Sequence, residues 1–133
     1  SMDSSELEHL NKSKTYFAEN IMDNDYWMEE AINKMTDTVY ITFDLDCFDS
    51  SLMPSTGTPE PGGMEWYQVL EFLRKVFRRK NVVGFDIVEL APNPHNGAPD
   101  FLAAKLYYKM LAYRFESELT KISKNDRVEA ENT

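Results

Sequence analysis

The sequence is poor in the residues on which several common kinds of site depend. Cys47 is the only cysteine among 133 residues, which excludes an intrachain disulfide framework and favours a reducing compartment. The two histidines, His9 and His95, lie far from the spacing of a zinc site. The glycines around Pro59 and Pro61 are interrupted by prolines and follow no predicted strand directly, so they do not form a phosphate-binding loop.

Basic residues are also scarce. Lys and Arg total 14 against 23 Asp and Glu, for a formal net charge of −9, which argues against a nucleic-acid partner. The same balance suits a cationic substrate or metal ions, although an acidic surface also serves solubility alone. No apolar run approaches the roughly 20 residues that span a bilayer, and the acidic start is unlike a signal peptide. We therefore expect a cytoplasmic protein without a membrane partner.

The remaining composition and hydrophobic periodicity predict a single globular α/β domain. Hydrophobic residues make up 42% of the chain and aromatic residues 13%. After a polar start, the predicted order is strand, loop, helix, strand, loop, helix, which indicates a mostly parallel sheet with chemistry at its carboxyl edge. The predicted segments are strand 39–43, loop 49–63, helix 65–79, strand 82–90, a proline-rich loop, and a helix capped by Asp100 and running to about Phe115. The first strand lacks alternation, which predicts burial on both faces of a parallel sheet, and residues 82–90 predict a second buried strand.

The two ends of the chain carry weaker patterns. Residues 4–14 predict a short helix, Thr15–Phe17 a brief strand, and residues 26–34 a helix opened by Asp25. We expect residues 1–116 to belong to one domain and residues 117–133 to form a polar C-terminal tail.

Asp44 and Asp46 are the strongest candidates for metal ligands. They directly follow the first predicted strand, and in an extended segment positions i and i+2 project to the same side. Two carboxylates there repel each other unless a cation lies between them, and oxygen ligands suit hard ions such as Mn²⁺ or Mg²⁺. Asp49 is either a further ligand or a turn residue. Alternatively, Asp46 and Asp49 serve only to build the turn that leaves the strand.

Glu89 ends the second predicted strand, at the same edge of the sheet. A carboxylate in that position can receive a guanidinium or ammonium group, or can instead cap nearby loop amides. Asp86 faces the opposite way in a regular strand and is expected to make a structural hydrogen bond. His95 is interpreted as a surface residue and Cys47 as a small packing residue.

Two segments resemble the motifs of a known enzyme family. Residues 43–49 (FDLDCFD), followed by residues 54–59 (PSTGTP) and Gly62-Gly63, resemble the signature of the ureohydrolases, which include arginase, agmatinase and formiminoglutamase. Residues 85–92 (FDIVELAP) resemble the next motif of that family, at the expected separation. The likeness extends from Ser1 to about Phe115 and looks closest to the agmatinase branch.

The resemblance implies a three-layer α/β/α arginase-like fold and a site with two manganese ions. Asp44 and Asp46 match the family's metal-binding aspartates, Glu89 matches the acid that holds the substrate guanidinium, and Asp49 matches a position treated as structural support. In the family, a metal-bridging hydroxide attacks the guanidinium carbon and releases urea and an amine. The resemblance further implies a small cationic substrate such as agmatine and a homo-oligomer in the complete protein.

The sequence also departs from the family pattern. Four positions differ from the residues common in the family: Thr42, Ser50, Met53 and Ser55. None of them is a ligand, and these changes bear on loop shape and substrate choice.

The family's other ligands come from a glycine-histidine segment and an Asp-x-His-x-Asp segment, and neither is present. Two aspartates cannot fill two coordination shells of about six ligands each. We therefore expect the chain to be an incomplete C-terminal half, inactive and marginally stable alone.

Two other interpretations remain open from the sequence. The chain can belong to another branch of the family, which acts on arginine, guanidinobutyrate or formiminoglutamate. It can also be a non-catalytic half-domain that binds a partner through an exposed strand edge, with its aspartates as a relic.

Overall fold

The computed structural model describes residues 5, 8–22 and 24–131, with side chains as far as residue 116. The chain divides into two compact units, residues 1–36 and residues 37–133. No helix among the described residues is long and apolar enough to cross a membrane.

The first unit contains two short helices. Helix α1 is Ala18–Met22 and helix α2 is Tyr26–Lys34, which confirms the prediction for residues 26–34. The side chain of Asn24, rather than that of Asp25, accepts a hydrogen bond from the amide of Tyr26 at 3.0 Å. The strand predicted at residues 15–17 is wrong, because a 3-10 turn at Lys12–Lys14 leads directly towards α1. The helix predicted over residues 4–14 lies partly outside the described residues.

The second unit has the predicted order of strands and helices. Strand β1 is Thr38–Asp44, helix α3 is Trp66–Arg79, strand β2 is Asn81–Val88 and helix α4 is Ala98–Glu131. β1 and β2 pair in parallel, and their register places Asp44 opposite Val88 at the carboxyl edge. The sequence predicted that Asp100 caps α4, but Asp100 lies within the first turn of this helix. The helix begins earlier because the side chain of Asn96 accepts a hydrogen bond from the amide of Ala98 at 3.2 Å.

The core of this unit lies between the sheet and the two helices. Alternate residues of β1 and β2 pack on the apolar faces of α3 and α4. The hydrophobic residues that recur every two positions in the strands and about every 3.6 positions in the helices therefore form one cluster. Its buried members are Phe43, Leu45, Phe48, Met53, Val69, Leu70, Leu73, Ala103, Leu106 and Met110. Phe48 and Met53, which follow β1 and lie outside the strands and helices, therefore belong to the core. Their burial anchors the start of the loop that leaves β1.

The opposite face of the sheet is exposed, and the prediction of strands buried on both faces is wrong for this chain. Tyr40 is 60% exposed and Val83 is 62% exposed. The physical reason is that residues 37–131 supply two strands and helices for one face only. An exposed sheet face and two open strand edges are typical of a sheet that lacks neighbours.

Candidate metal and substrate site

Asp44 and Asp46 lie where β1 ends, but in different backbone conformations. Asp44 is the last residue of the strand, whereas Asp46 lies within a 3-10 turn, Leu45–Cys47. The premise that both occupy an extended segment is therefore wrong. Asp44 caps the turn instead, because its Oδ1 accepts a hydrogen bond from the backbone N–H of Asp46 at 2.9 Å. The turn brings both carboxylates to the carboxyl edge of the sheet.

The Asp46 carboxylate has one bonded oxygen and one without a partner. Its Oδ2 accepts a hydrogen bond from the hydroxyl of Thr58. Its Oδ1 is buried and has no hydrogen-bond partner among the described residues. A buried carboxylate oxygen without a donor is costly, and a cation removes that cost. The oxygen is therefore an acceptor suited to a hard divalent ion, and Asp44 provides a second carboxylate beside it.

The first loop, residues 48–64, is closed by its own hydrogen bonds. The amide of Met64 donates to the carbonyl of Cys47 at 2.7 Å, and the amide of Asp49 donates to the carbonyl of Met64 at 3.2 Å. Gly63 is required at this closure, because a Cβ atom there would lie 2.4 Å from the backbone of Phe48 and Asp49. The two ends of the loop are thus joined directly beside the aspartates.

Asp49 supports this loop and is turned towards it. Its Oδ1 accepts the amide of Ser51 at 2.9 Å, and its Oδ2 accepts the amide of Gly62 at 2.8 Å. Hydrogen bonds from Ser51, and then from the loop glycine amides, lower the pKa of Asp49 to about 2. Both of its oxygens are engaged by loop amides, so the arrangement favours the structural role over that of a further ligand.

Glu89 follows Val88 at the same edge of the sheet and has an unusual backbone. Its φ is +68°, a left-handed conformation that is uncommon outside glycine and that recurs at functional sites. Glu89 opens the second loop, residues 89–97, all of which are exposed. The conformation changes the chain direction directly after β2 and leaves the Glu89 side chain exposed at the edge.

Two contacts join the second loop to the first. The amide of Ala91 donates to the carbonyl of Ser55 at 2.8 Å. A Cβ atom on Gly57 would lie 3.6 Å from Oε2 of Glu89, so the carboxylate lies against this glycine. The short segment from Gly57 to Thr58 therefore contacts both Glu89 and Asp46. The structure brings the two predicted parts of the site together on one loop.

Three further predictions concern residues outside the site. Asp86 makes structural hydrogen bonds as expected, accepting from Tyr40 at 2.9 Å and Thr42 at 2.5 Å. His95 is exposed. Cys47 is a partly buried thiol packed on the core, and its burial, followed by the charges of Asp44 and Asp46, raises its pKa to about 12. A thiol with that pKa is protonated at neutral pH, so it suits packing rather than nucleophilic chemistry.

The sequence did not single out Ser55, Gly57 and Thr58 for the contacts they make. The available signal was local, because Pro59 disfavours a helical conformation at Thr58 and the motif places this residue near the aspartates. The contact with residue 46, twelve positions away, is set by how the loop folds. No group of three or more His, Cys, Asp or Glu side chains that could hold a metal occurs within the described residues.

Comparison with known proteins identifies the class to which this fold and edge belong. The sequence profile of the Arginase family matches residues 1–112. This chain belongs to the Arginase family, and the family resemblance predicted from the motifs is confirmed.

The individual relatives are ureohydrolases. The chain is 44% identical over 108 residues to the N(1)-aminopropylagmatine ureohydrolase of Synechocystis sp., a match that covers 80% of this chain and 35% of that protein. It is 38% identical over 82 residues to the agmatinase of Pyrococcus horikoshii, covering 62% of this chain and 29% of that protein. The chain thus spans about a third of the length of the curated relatives that it matches.

Solved structures confirm the predicted arginase-like α/β fold, present here in part. The agmatine ureohydrolase of Thermoplasma volcanium superposes with a TM-score of 0.66 at 35% identity, covering 76% of this chain and 35% of that one. The arginase of Bacillus subtilis superposes with a TM-score of 0.73, covering 84% and 41%. At 23% identity the latter match concerns the fold alone.

Proposed function

We propose that this chain supplies the C-terminal part of a binuclear manganese ureohydrolase of the agmatinase type. The reaction is hydrolysis of a guanidinium group, in which water replaces the amine on the guanidinium carbon to give urea and a free amine. The observation that carries the proposal is the buried Oδ1 of Asp46, which has no partner among the described residues and lies beside Asp44 at the edge that also bears Glu89.

Asp44 and Asp46 would hold the metal ions. Their oxygens are hard ligands, and one of them is already desolvated, so binding a cation there removes an existing cost. When bound, two divalent ions lower the pKa of a water molecule to near neutrality and stabilise the negative charge of an attacking oxygen. The site therefore suits hydrolysis of a poorly electrophilic carbon.

Glu89 would hold the substrate. A guanidinium group presents parallel N–H donors that match a carboxylate, and such charge-assisted pairs are stronger than neutral hydrogen bonds. Relatives that match this chain are named for agmatine and aminopropylagmatine, two substrates with guanidinium groups. The net charge of −9 favours the approach of cations of this kind. We propose agmatine as the reference substrate.

The remaining ligands would come from outside these residues. Two carboxylates do not complete the shells of two ions, and the described residues contain no larger group of ligand side chains. The chain alone is therefore expected to be inactive. We also propose that the complete protein is a cytoplasmic homo-oligomer.

The test compares the chain alone with a chimera in which it replaces the matching region of the Synechocystis relative, so that upstream ligands are restored. With Mn²⁺ and agmatine, the chimera should release urea and the chain alone should not. A panel with aminopropylagmatine, arginine, guanidinobutyrate and formiminoglutamate separates the branches of the family. A chimera that folds, binds Mn²⁺ and releases urea from none of them would refute the proposal.

Asp46→Asn provides the matching loss of function. In the chimera it should abolish urea release, because it removes a charge from the proposed metal site. Asp37→Asn is the control, since it makes the same charge change at an exposed residue whose known contact is made by its backbone carbonyl. Full activity of Asp46→Asn would contradict the assignment.

The exposed sheet face favours one alternative function. Tyr40 and Val83 are largely exposed, and both strand edges are open within residues 37–131. A non-catalytic half-domain that binds a partner through this surface would retain its aspartates without a metal. Stoichiometric Mn²⁺ in the purified chimera, lost in Asp46→Asn, distinguishes the catalytic proposal from this one.

A further inference from the structure

We infer that Thr58 is a positioning residue, whose hydroxyl holds the Asp46 carboxylate in the orientation that binds metal. This inference rests on the proposed function and adds a role for a residue of the first loop. The direct observation is the hydrogen bond from the Thr58 hydroxyl to Oδ2 of Asp46. With Oδ2 engaged, the buried Oδ1 is the oxygen that has no partner among the described residues.

Backbone hydrogen bonds on both sides of Thr58 hold this part of the loop close to Asp46. Pro59 disfavours a helical conformation at Thr58. The carbonyl of Ser55 accepts the amide of Ala91 at 2.8 Å, and the amide of Ser50 donates to the carbonyl of Glu60 at 3.2 Å. These bonds anchor the loop on both sides of Thr58.

The carboxylate also needs an external constraint. Asp46 lies in a three-residue turn whose backbone is capped through its amide by Asp44, and that bond does not fix the Asp46 side chain. A carboxylate can rotate about its side-chain bonds, and partners of ligand side chains commonly restrict such rotation and strengthen metal binding. The hydroxyl of Thr58, in the first loop, supplies that restriction through its hydrogen bond to Oδ2.

The experiment measures Mn²⁺ affinity of the chimera by titration with electron paramagnetic resonance, independently of turnover. Thr58→Val keeps the shape of the side chain and removes the hydroxyl, so affinity should fall about 10- to 100-fold. Thr58→Ser keeps the hydroxyl, so its Mn²⁺ affinity should stay within about threefold of the parent, well below the loss expected for Thr58→Val. The stabilisation of the fold by Mn²⁺ should shrink in parallel in Thr58→Val.

Thr56→Val is the matched control in the same loop. Its hydroxyl is buried and has no partner within the described residues, so removing it should leave Mn²⁺ affinity unchanged. Thr58 itself is exposed, and its substitution should not prevent folding.

The outcomes separate this inference from the function on which it rests. If the parent chimera binds no Mn²⁺, the proposed function fails. If the parent binds Mn²⁺ and Thr58→Val binds it equally well, the positioning role fails alone. If the hydroxyl only contacted substrate, Thr58→Val would raise KM for agmatine and leave Mn²⁺ affinity unchanged. That result would also overturn the inference.

Discussion

The two loops at the carboxyl edge of the sheet differ in how they are held. The first loop, residues 48–64, buries Phe48 and Met53 in the core and is closed by bonds between its own ends. The second loop, residues 89–97, is exposed throughout and contacts the first through the bond from Ala91 to Ser55 and through Glu89 against Gly57. The proposed metal ligands directly precede the buried loop, whereas the proposed substrate acid opens the exposed one.

The two loops suit the different requirements of metal binding and substrate binding. Metal ligands need fixed geometry, and a loop anchored in the core provides it at the cost of sensitivity to substitution. A substrate acid needs access, which an exposed loop provides. We therefore expect substitutions at the buried closure of the first loop to affect folding and substitution of the acid that opens the second loop to affect substrate binding.

The largest expected effect is on activity, at Glu89. In the chimera, Glu89→Gln should lower kcat/KM for agmatine about 1,000-fold, equivalent to about 4 kcal/mol, because it removes the charge that pairs with the guanidinium group. Thermal unfolding and Mn²⁺ binding should remain unchanged, since Glu89 is exposed and is not a proposed ligand. A large loss of stability would show that the second loop is structural and would remove the distinction between the loops.

The next effect is on folding, at Gly63. Gly63→Ala places a methyl group 2.4 Å from backbone atoms of Phe48 and Asp49, which cannot move aside as a flexible side chain can. We expect the free energy of unfolding to fall by about 3 kcal/mol, as for severe overpacking. Urea unfolding of the chimera measures this value.

Gly97→Ala is the control for Gly63→Ala. A Cβ atom at Gly97 meets no atom within 4 Å, and the residue lies at the end of the exposed loop. The free energy of unfolding should change by less than about 1 kcal/mol, as for glycine replacement at a compatible position. Equal costs at the two glycines would contradict the difference between the loops.

Part of this arrangement followed from the sequence, and part did not. The helix at 66–79 and the strand ending at Asp44 were predictable because their periodicity and branched residues are local signals. The prediction that Asp44 and Asp46 project to the same side assumed an extended segment. That premise was wrong, because the strand stops at residue 44 and a turn follows. The prediction that the strands are buried on both faces was also wrong, because such burial depends on neighbouring elements that residues 37–131 do not supply.

The contacts of Thr58 and Gly57 could not be predicted from the sequence for a related reason. Each joins segments well separated along the chain, Thr58 with Asp46 and Gly57 with Glu89. Hydrophobic patterns specify which face of a strand or helix is buried, but they contain no information on the path of an exposed loop. The family motifs indicated that this loop mattered without indicating which atoms meet.

A smaller effect on stability concerns Asp49 and pH. Its pKa of about 2 is lower in the folded chain than the ordinary value near 3.8, because loop amides stabilise the carboxylate. A depressed pKa means that the contribution to stability is fully present above about pH 4 and is lost as pH falls towards 2. Stability of the parent should therefore drop across that window.

Asp49→Asn isolates this contribution. Glu116 also has a pKa of about 2, lowered by hydrogen bonds from Arg74 and then Arg78, so it titrates in the same window. The unsubstituted chimera and its Asp49→Asn variant share the contribution of Glu116. The variant should therefore lose less stability between pH 4 and pH 2. Parallel pH profiles in urea unfolding would show that Asp49 does not hold the first loop through its charge.

The smallest effect is expected at Gly57, where the two loops meet. Gly57→Ala requires no strained backbone, and the added methyl group would lie 3.6 Å from Oε2 of Glu89, in ordinary contact. Stability should change by less than about 1 kcal/mol, as for glycine replacement at a compatible position. In the chimera, KM for agmatine should rise a few-fold, because the methyl group covers one flank of the carboxylate, while kcat and Mn²⁺ affinity stay constant. A fall in Mn²⁺ affinity would instead mean that the segment from Gly57 to Thr58 couples the two loops, so that the division between a fixed metal loop and an exposed substrate loop does not hold.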